Sequence, residues 1–203
     1  MKKLSSFLKP AVVLLVMAAV VALVLGCISQ GTAGRIEKLA AEKMTTAMQA
    51  VLPAESYTAL ADASGIDAVD ALYQAGSAGW VVQVTETGSQ GTVTMMVGVS
   101  KAYACTGISI TESSETAGLG AIASQQSEKG EAFRAQFVGQ SGVVDVTKSG
   151  GAIDAIAGAT ITSRAVCQGV TDALAACQAQ SAAPAAWPAA NPASAEPTAA
   201  FAG

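Results

Sequence analysis

An α+β domain, with a mainly antiparallel sheet and flanking helices, is the fold class this sequence predicts, preceded by one transmembrane helix. Three observations carry the prediction. Runs rich in β-branched residues at 80–85, 92–100 and 106–112 are separated by short turns, the spacing of antiparallel strands. Helical periodicity brackets them, at 35–51 and from about 160 to 178. A charge-free apolar run at 10–28 stands ahead of both.

The elements follow in chain order. From Pro10 to Ile28 the chain reads PAVVLLVMAAVVALVLGCI, close to the roughly 20 residues that cross hydrocarbon and longer than a signal-peptide core of about 7–15. Lys2, Lys3 and Lys9 lie only on its amino side, so the positive-inside bias puts Met1 in the cytoplasm and everything after Gly31 outside. A competitor is present in Val24-Leu25-Gly26-Cys27, which resembles a lipobox with cleavage before Cys27. Leucine before that glycine is not the usual small residue, which favours the uncleaved helix. Both readings tie the domain to membrane lipid, on the outer side of the inner (cytoplasmic) membrane.

Apolar residues at Ile36, Leu39, Ala40, Met44, Ala47, Met48 and Val51 predict a helix over 35–51, stopped by Pro53. A second helix is expected around Asp67 to Gln74. Strands are expected at Trp80–Thr85, Thr92–Ser100 and Thr106–Glu112. A polar, helix-compatible stretch spans about Ser124 to Phe137, and Val143–Val146 reads as a short strand. Small residues from Asp154 to Thr162 open a final helix. Three units result: an N-terminus and anchor at 1–30, a domain at 31–180, and an Ala/Pro-rich tail at 181–203 that is expected to be disordered. Trp187 and Phe201 are the tail's aromatics.

Composition excludes several chemistries. The sequence contains no histidine, which removes Ser-His-Asp and Cys-His catalysis and the usual zinc and haem ligands. The four cysteines form no C-x-x-C pair, and no metal site is expected. Cys167 and Cys177 stand ten apart on one helix, too far for a disulfide, so the domain cysteines read as small packing residues. Setting aside the three N-terminal lysines leaves 8 basic against 15 acidic residues, a balance of −7. So acidic a domain has no electrostatic footprint for nucleic acid.

The residues that carry chemistry are Asp154-Ala155-Ile156-Ala157-Gly158-Ala159-Thr160-Ile161-Thr162-Ser163. Gly158 and Ala159 leave room for a bulky group to approach the backbone. Thr160 stands where a helix begins, with Thr162 and Ser163 as further first-turn hydroxyls, and the free N–H groups there favour a phosphate. Arg164 is near enough in sequence to add a positive charge. Small residues followed by Thr also make ordinary helix caps, so the motif needs company. Upstream, Glu115-Thr116-Ala117-Gly118-Leu119-Gly120 follows a strand as a glycine turn.

The two motifs together resemble the FMN-binding domain family, and within it the branch of G-type subunits found in Rnf ion-translocating oxidoreductases. That family's flavinylation motif is Asp, two variable residues, Ser or Thr, G-A-T, a variable residue, then Thr or Ser. It maps onto Asp154, Ala157, Gly158, Ala159, Thr160 and Thr162, with I-T-S-R-A-V (161–166) typical of the Rnf branch. The upstream motif is similar to the family's E-T-P-G-L-G loop, which packs near the flavin. The resemblance implies FMN held by a phosphoester to Thr160, with Gly158, Ala159, Ile161, Thr162, Ser163, Glu115, Thr116, Gly118 and Leu119 around it. It implies that a separate flavin transferase makes the bond and that Asp154 serves its recognition or local hydrogen bonding; a solvated turn aspartate is the other reading of that residue. Electrons would pass between ferredoxin and NAD through the other membrane and peripheral subunits of the complex. The chain would relay electrons without a complete active site of its own.

Ala157 departs from the pattern by removing a hydroxyl, and Ala117 by removing a proline that would stiffen the loop. The tail lies outside the resemblance. Other readings are the C-type component of a sodium-pumping quinone reductase, a free-standing extracytoplasmic flavoprotein, or a tethered binding protein in which G-A-T only starts a helix.

Overall fold

The computed structural model describes residues 2–61 and 65–182, without side chains at 2–13, 27, 28, 30, 31, 33 and 37. The expected tail, including Trp187 and Phe201, lies outside the described residues, as does the side chain of Cys27.

The chain opens with one helix, α1 (Lys2–Val51). The predicted anchor and the predicted 35–51 helix are therefore a single element, ending two residues before Pro53. Large apolar side chains at Leu14, Leu15, Val16, Met17, Val20, Val21, Leu23, Val24 and Leu25 are all exposed. Part of the 10–28 run falls on residues whose side chains are not described. Among those that are, no helix is long and apolar enough to cross a membrane.

Five strands follow: β1 (Tyr57–Leu60), β2 (Val69–Ala75), β3 (Gly79–Thr87), β4 (Thr92–Ser100) and β5 (Cys105–Ser113). They form one sheet in the order β1-β2-β3-β4-β5, every neighbouring pair antiparallel. The α+β expectation holds, with two corrections. Residues 67–74 are not a helix: VDALYQA pairs with β1 on one side and β3 on the other, burying Leu72 and Ala75. Ladder bonds on both edges outweigh the local helix propensity of its Ala, Leu and Gln. Val143–Val146 is not a strand either. Only a single bridge, Val146 to Ile153, forms there, because no extended partner runs alongside.

The two faces of the sheet bury different partners. On one, Val82 and Val84 of β3 and Val93, Met95, Val97 and Val99 of β4 pack under the last helix, α3 (Thr160–Ala182). That helix contributes Val166, Cys167, Val170, Ala173, Leu174 and Cys177 to the same core. On the other face Val81, Met96 and Ala75 meet the end of α1 through Ala47, Met48, Val51 and Leu52. Gly98 permits that approach, since a Cβ there would stand 2.5 Å from the Val51 carbonyl oxygen. The Thr106 hydroxyl donates to the same oxygen at 2.7 Å, fastening the helix end to β5.

A short helix, α2 (Glu128–Ala135), begins at Ser127, whose hydroxyl accepts from the Gly130 N–H. It sends Phe133 into the core, edge-on to Phe137. Cys105, Cys167 and Cys177 are buried and unbridged, as small packing residues. Burial pushes their thiols up to about 11, 12 and 12 respectively, which leaves them unreactive.

Candidate functional site

The two sequence motifs meet at one end of the sheet. After β5 the chain turns through 114–119, and the loop 154–159 leads into α3. Their junction is a hydrogen bond from the Thr162 hydroxyl to Glu115 Oε2, 2.9 Å. The other Glu115 oxygen accepts from the Ser89 N–H at 2.7 Å and the Gln90 N–H at 3.2 Å, both in the β3–β4 turn. Desolvation pushes the Glu115 carboxyl up, but the N–H groups of Gln90, Ser89 and Gly91 and the Thr162 hydroxyl together hold it below the usual glutamate range. Glu115 is thus a clamp joining three segments. Gly120 must lack a side chain here, since a Cβ would lie 2.6 Å from Thr162 Oγ1.

Ser163 is fully buried. Its hydroxyl donates to the Ala159 carbonyl at 2.9 Å and accepts from the Ile156 N–H at 3.0 Å, so it knits the 156–159 turn onto the helix. Thr162 is also buried. With both hydroxyl protons committed, these two residues fix the loop and leave none to offer an anion. Arg164 likewise differs from the expectation of a phosphate contact. It turns toward Asp145, with Nε 3.9 Å from Oδ1.

The helix start itself is open. Ser163 is the first residue of α3 to return its N–H to a carbonyl, that of Ala159. Thr160, Ile161 and Thr162 therefore carry the N–H groups a helix start leaves for another acceptor. The cap position falls on Ala159, which has no side-chain acceptor, so Thr160 is the first helical residue and not the cap. Gly158 adopts φ +78, and an added Cβ would touch Leu119 Cδ2 at 3.0 Å. Leu119, beside Gly158, and Ile161, the residue after the threonine, are 45% and 62% exposed. Gly118 supplies a second positive φ, and the Thr116 carbonyl accepts from the N–H groups of Leu119 and Ala121 to close the turn.

Two concavities border this start. One, of about 430 Å³, lies between Gly118, α2 and 154–157, and includes Lys129 and Phe133. The other, of about 330 Å³, runs past Ile161 and Arg164 to Glu86. Asp154 is exposed at the edge of the first. Its backbone N–H donates to Gln136 Oε1 at 2.7 Å, which holds the motif's first residue against α2. An uncapped helix start, a side-chain-free approach at Gly158 and flanking apolar surface suit a phosphate carrying a planar aromatic group. Sequence reasoning missed Ser89, Gln90 and Gln136. The first two act only through backbone N–H groups, and no residue type marks that role.

This combination is that of a site for a phosphate-bearing aromatic cofactor, and the chain belongs to the FMN-binding domain family, whose pattern matches residues 88–175. It is 34% identical over 170 residues to the G-type subunit of the ion-translocating oxidoreductase complex of Methanosarcina acetivorans, covering 78% of this chain and 87% of that protein. It is 36% identical over 186 residues to the G-type subunit of the Na(+)-translocating ferredoxin:NAD(+) oxidoreductase complex of Acetobacterium woodii, covering 80% of this chain and 87% of that one.

Proposed function

We propose that this chain is the membrane-anchored electron-relay subunit of an Rnf-type ion-translocating oxidoreductase, carrying FMN joined by a phosphoester to Thr160. The observation that carries the reading is the start of α3, where an alanine occupies the cap position and a threonine hydroxyl follows it. Unclaimed N–H groups and the helix dipole at that point favour an anion. The names of the two relatives supply the setting of a multisubunit, ion-translocating ferredoxin:NAD oxidoreductase.

When bound, the flavin supplies one- and two-electron transfer. The residues of the chain hold and orient. Thr160 would be the attachment point, and the N–H groups of Ile161 and Thr162 would hold the phosphate. Leu119 and Ile161 offer apolar contact, while Gly158 and Ala159 keep the approach clear. Glu115, Thr162 and Ser163 hold the geometry. The family resemblance implies that a separate flavin transferase makes the bond, with exposed Asp154 serving its recognition; the absence of histidine and the burial of the described thiols are in keeping with that.

Residues 1–30 serve as the N-terminus and single-pass anchor in membrane lipid. Residues 31–180 are the extracytoplasmic domain, and 181–203 an extended tail. The exposed apolar side chains from Leu14 to Leu25 support the anchor, and the lysines ahead of them support a cytoplasmic Met1. The remaining subunits of the complex would be its electron donor and acceptor.

The test is the mass and in-gel fluorescence of the full chain, purified from cells with an active flavin transferase. Wild type should carry one flavin phosphate through denaturation, and Thr160→Ala none. Equal flavin on both proteins would refute the site, and an unmodified wild-type mass would refute the attachment.

A further inference from the structure

Glu86 stands where the alternation of β3 calls for an apolar side chain. Val82 and Val84 point into the core beneath α3, and the two-residue period sends Glu86 to the same side. Its ladder partner is Val93. The side chain passes beside Gly169 of α3, where an added Cβ would stand 3.2 Å from Glu86 Cγ and 2.9 Å from Met95 Cε. Glu86 Oε1 is cut off from water and, among the described residues, has no hydrogen-bond partner. The carboxyl reaches Asp172 on α3, and Asp172 Oδ1 accepts from Gln168 Nε2 at 3.0 Å.

Two carboxylates in hydrogen-bond reach cannot both ionise cheaply. A buried carboxylate oxygen without a donor adds a second cost. One proton on Glu86 relieves both, converting repulsion into an O–H···O⁻ bond to Asp172. Charges on the surrounding elements do not supply an alternative partner. Arg164, across the groove, leans on Asp145. β4 carries no charged residue. Asp70 of β2 accepts from Thr85, the neighbour of Glu86 that points to the opposite face, and Asp67 ahead of β2 is exposed. Burial first, then the hydrogen bond and charge of Asp172, push the Glu86 carboxyl up to about 7. The same groove that Glu86 lines is lined by Ile161, the residue after Thr160.

We propose that Glu86 and Asp172 form a carboxyl pair that shares a single exchangeable proton and couples that proton to the charge of a redox group held at Thr160. The coupling half rests on the attachment reading above, and the proton-sharing half does not. When a one-electron donor delivers an electron to the site, the added negative charge raises the proton affinity of the pair, which takes up a fraction of a proton from water at Glu86 and offsets part of that charge. Twelve residues of helix put Asp172 about 18 Å along α3 from Thr160, and the groove wall brings Glu86 closer. At an effective dielectric near 20 and at low ionic strength, where screening is weak, charges so spaced shift each other's titration by on the order of half to one pH unit.

Infrared spectroscopy of the full chain in detergent, with glutamate carboxyls isotopically labelled, reads the pair directly. A protonated-carboxyl stretch should titrate near neutrality in wild type and Thr160→Ala alike, and be missing from Glu86→Gln. Asp172→Asn, which keeps the side-chain shape, should lower its midpoint. In flavin-loaded wild type the midpoint should rise by half to one unit on dithionite reduction. Absence of a carboxyl titrating near neutrality overturns proton sharing. A midpoint identical in oxidised and reduced protein overturns the coupling. Wild type that carries no flavin overturns the coupling together with the attachment reading, while the titration of Thr160→Ala still decides the pair.

Discussion

Replacing Glu115 by alanine should loosen the site without unfolding the domain, and the cost can be worked from its three bonds. The N–H groups of Ser89 and Gln90 are exposed and would find water, so their loss is cheap. The Thr162 hydroxyl is buried, and losing its acceptor costs about 1–2 kcal/mol. The total expected for Glu115→Ala is about 2 kcal/mol. Much of it should return in the double variant Glu115→Ala/Thr162→Val, which removes the stranded hydroxyl while nearly preserving shape. Urea unfolding of the full chain in detergent measures the cycle. The pH dependence has a definite sign. A carboxyl depressed below its unfolded value of 4.5 contributes stability that is present above that pH and lost as pH falls through the lower folded value. The gap between wild type and Glu115→Ala should therefore be full at neutrality and close in acid. In-gel fluorescence should show less flavin on the variant, because Leu119 and the start of α3 lose their common anchor. A double variant no more stable than Glu115→Ala, or a gap independent of pH, would refute the clamp.

Gly158→Ala forces a Cβ onto a residue at φ +78 and against Leu119; it should cost about 1–2 kcal/mol and lower flavin loading, read by denaturation and fluorescence. Gly98→Ala drives a methyl into the Val51 carbonyl, so it should release the end of α1 from the sheet, seen as faster amide exchange at 47–52 with α3 still protected. Glu86→Gln should stabilise the protein at high pH. The Glu86 carboxyl is raised from 4.5 to about 7, so wild type loses stability as pH climbs through that window, by about 1 kcal/mol after allowing for partial exposure. Equal unfolding midpoints for the two proteins above neutrality would contradict this.

The central strands were legible because β4 reads TVTMMVGVS, a β-branched run whose limits the sequence placed to the residue. β2 was not, since VDALYQA carries helix formers and only its two neighbours make it a strand. β1 lay hidden in a polar stretch for the same reason, being an edge strand with two exposed residues among its four. At the site, G-A-T and E-T-A-G-L-G were visible as motifs, and sequence placed them near each other only through resemblance. Their physical link, one carboxylate bridging 47 positions to Thr162, has no local signature. Arg164 misled because closeness in sequence says nothing about direction: it starts one turn after Thr160 and leans to Asp145 instead. Glu86 was readable in principle, as the one charge on the inward-facing row of β3.

The continuity of α1 from Lys2 to Val51 bears on how electrons can reach this subunit. If 10–28 lie in the bilayer, as proposed, the fifteen residues between Ile28 and Met44 form a strut that separates those two by about 24 Å and ends on the sheet. A strut stores no slack. On the proposed anchoring, the end of the domain that holds Thr160 would be carried at a set height and bearing above the lipid, rather than on a flexible leash that lets it swing between distant stations. Electrons would then come from centres arranged around that height, or through tilting of the whole mast.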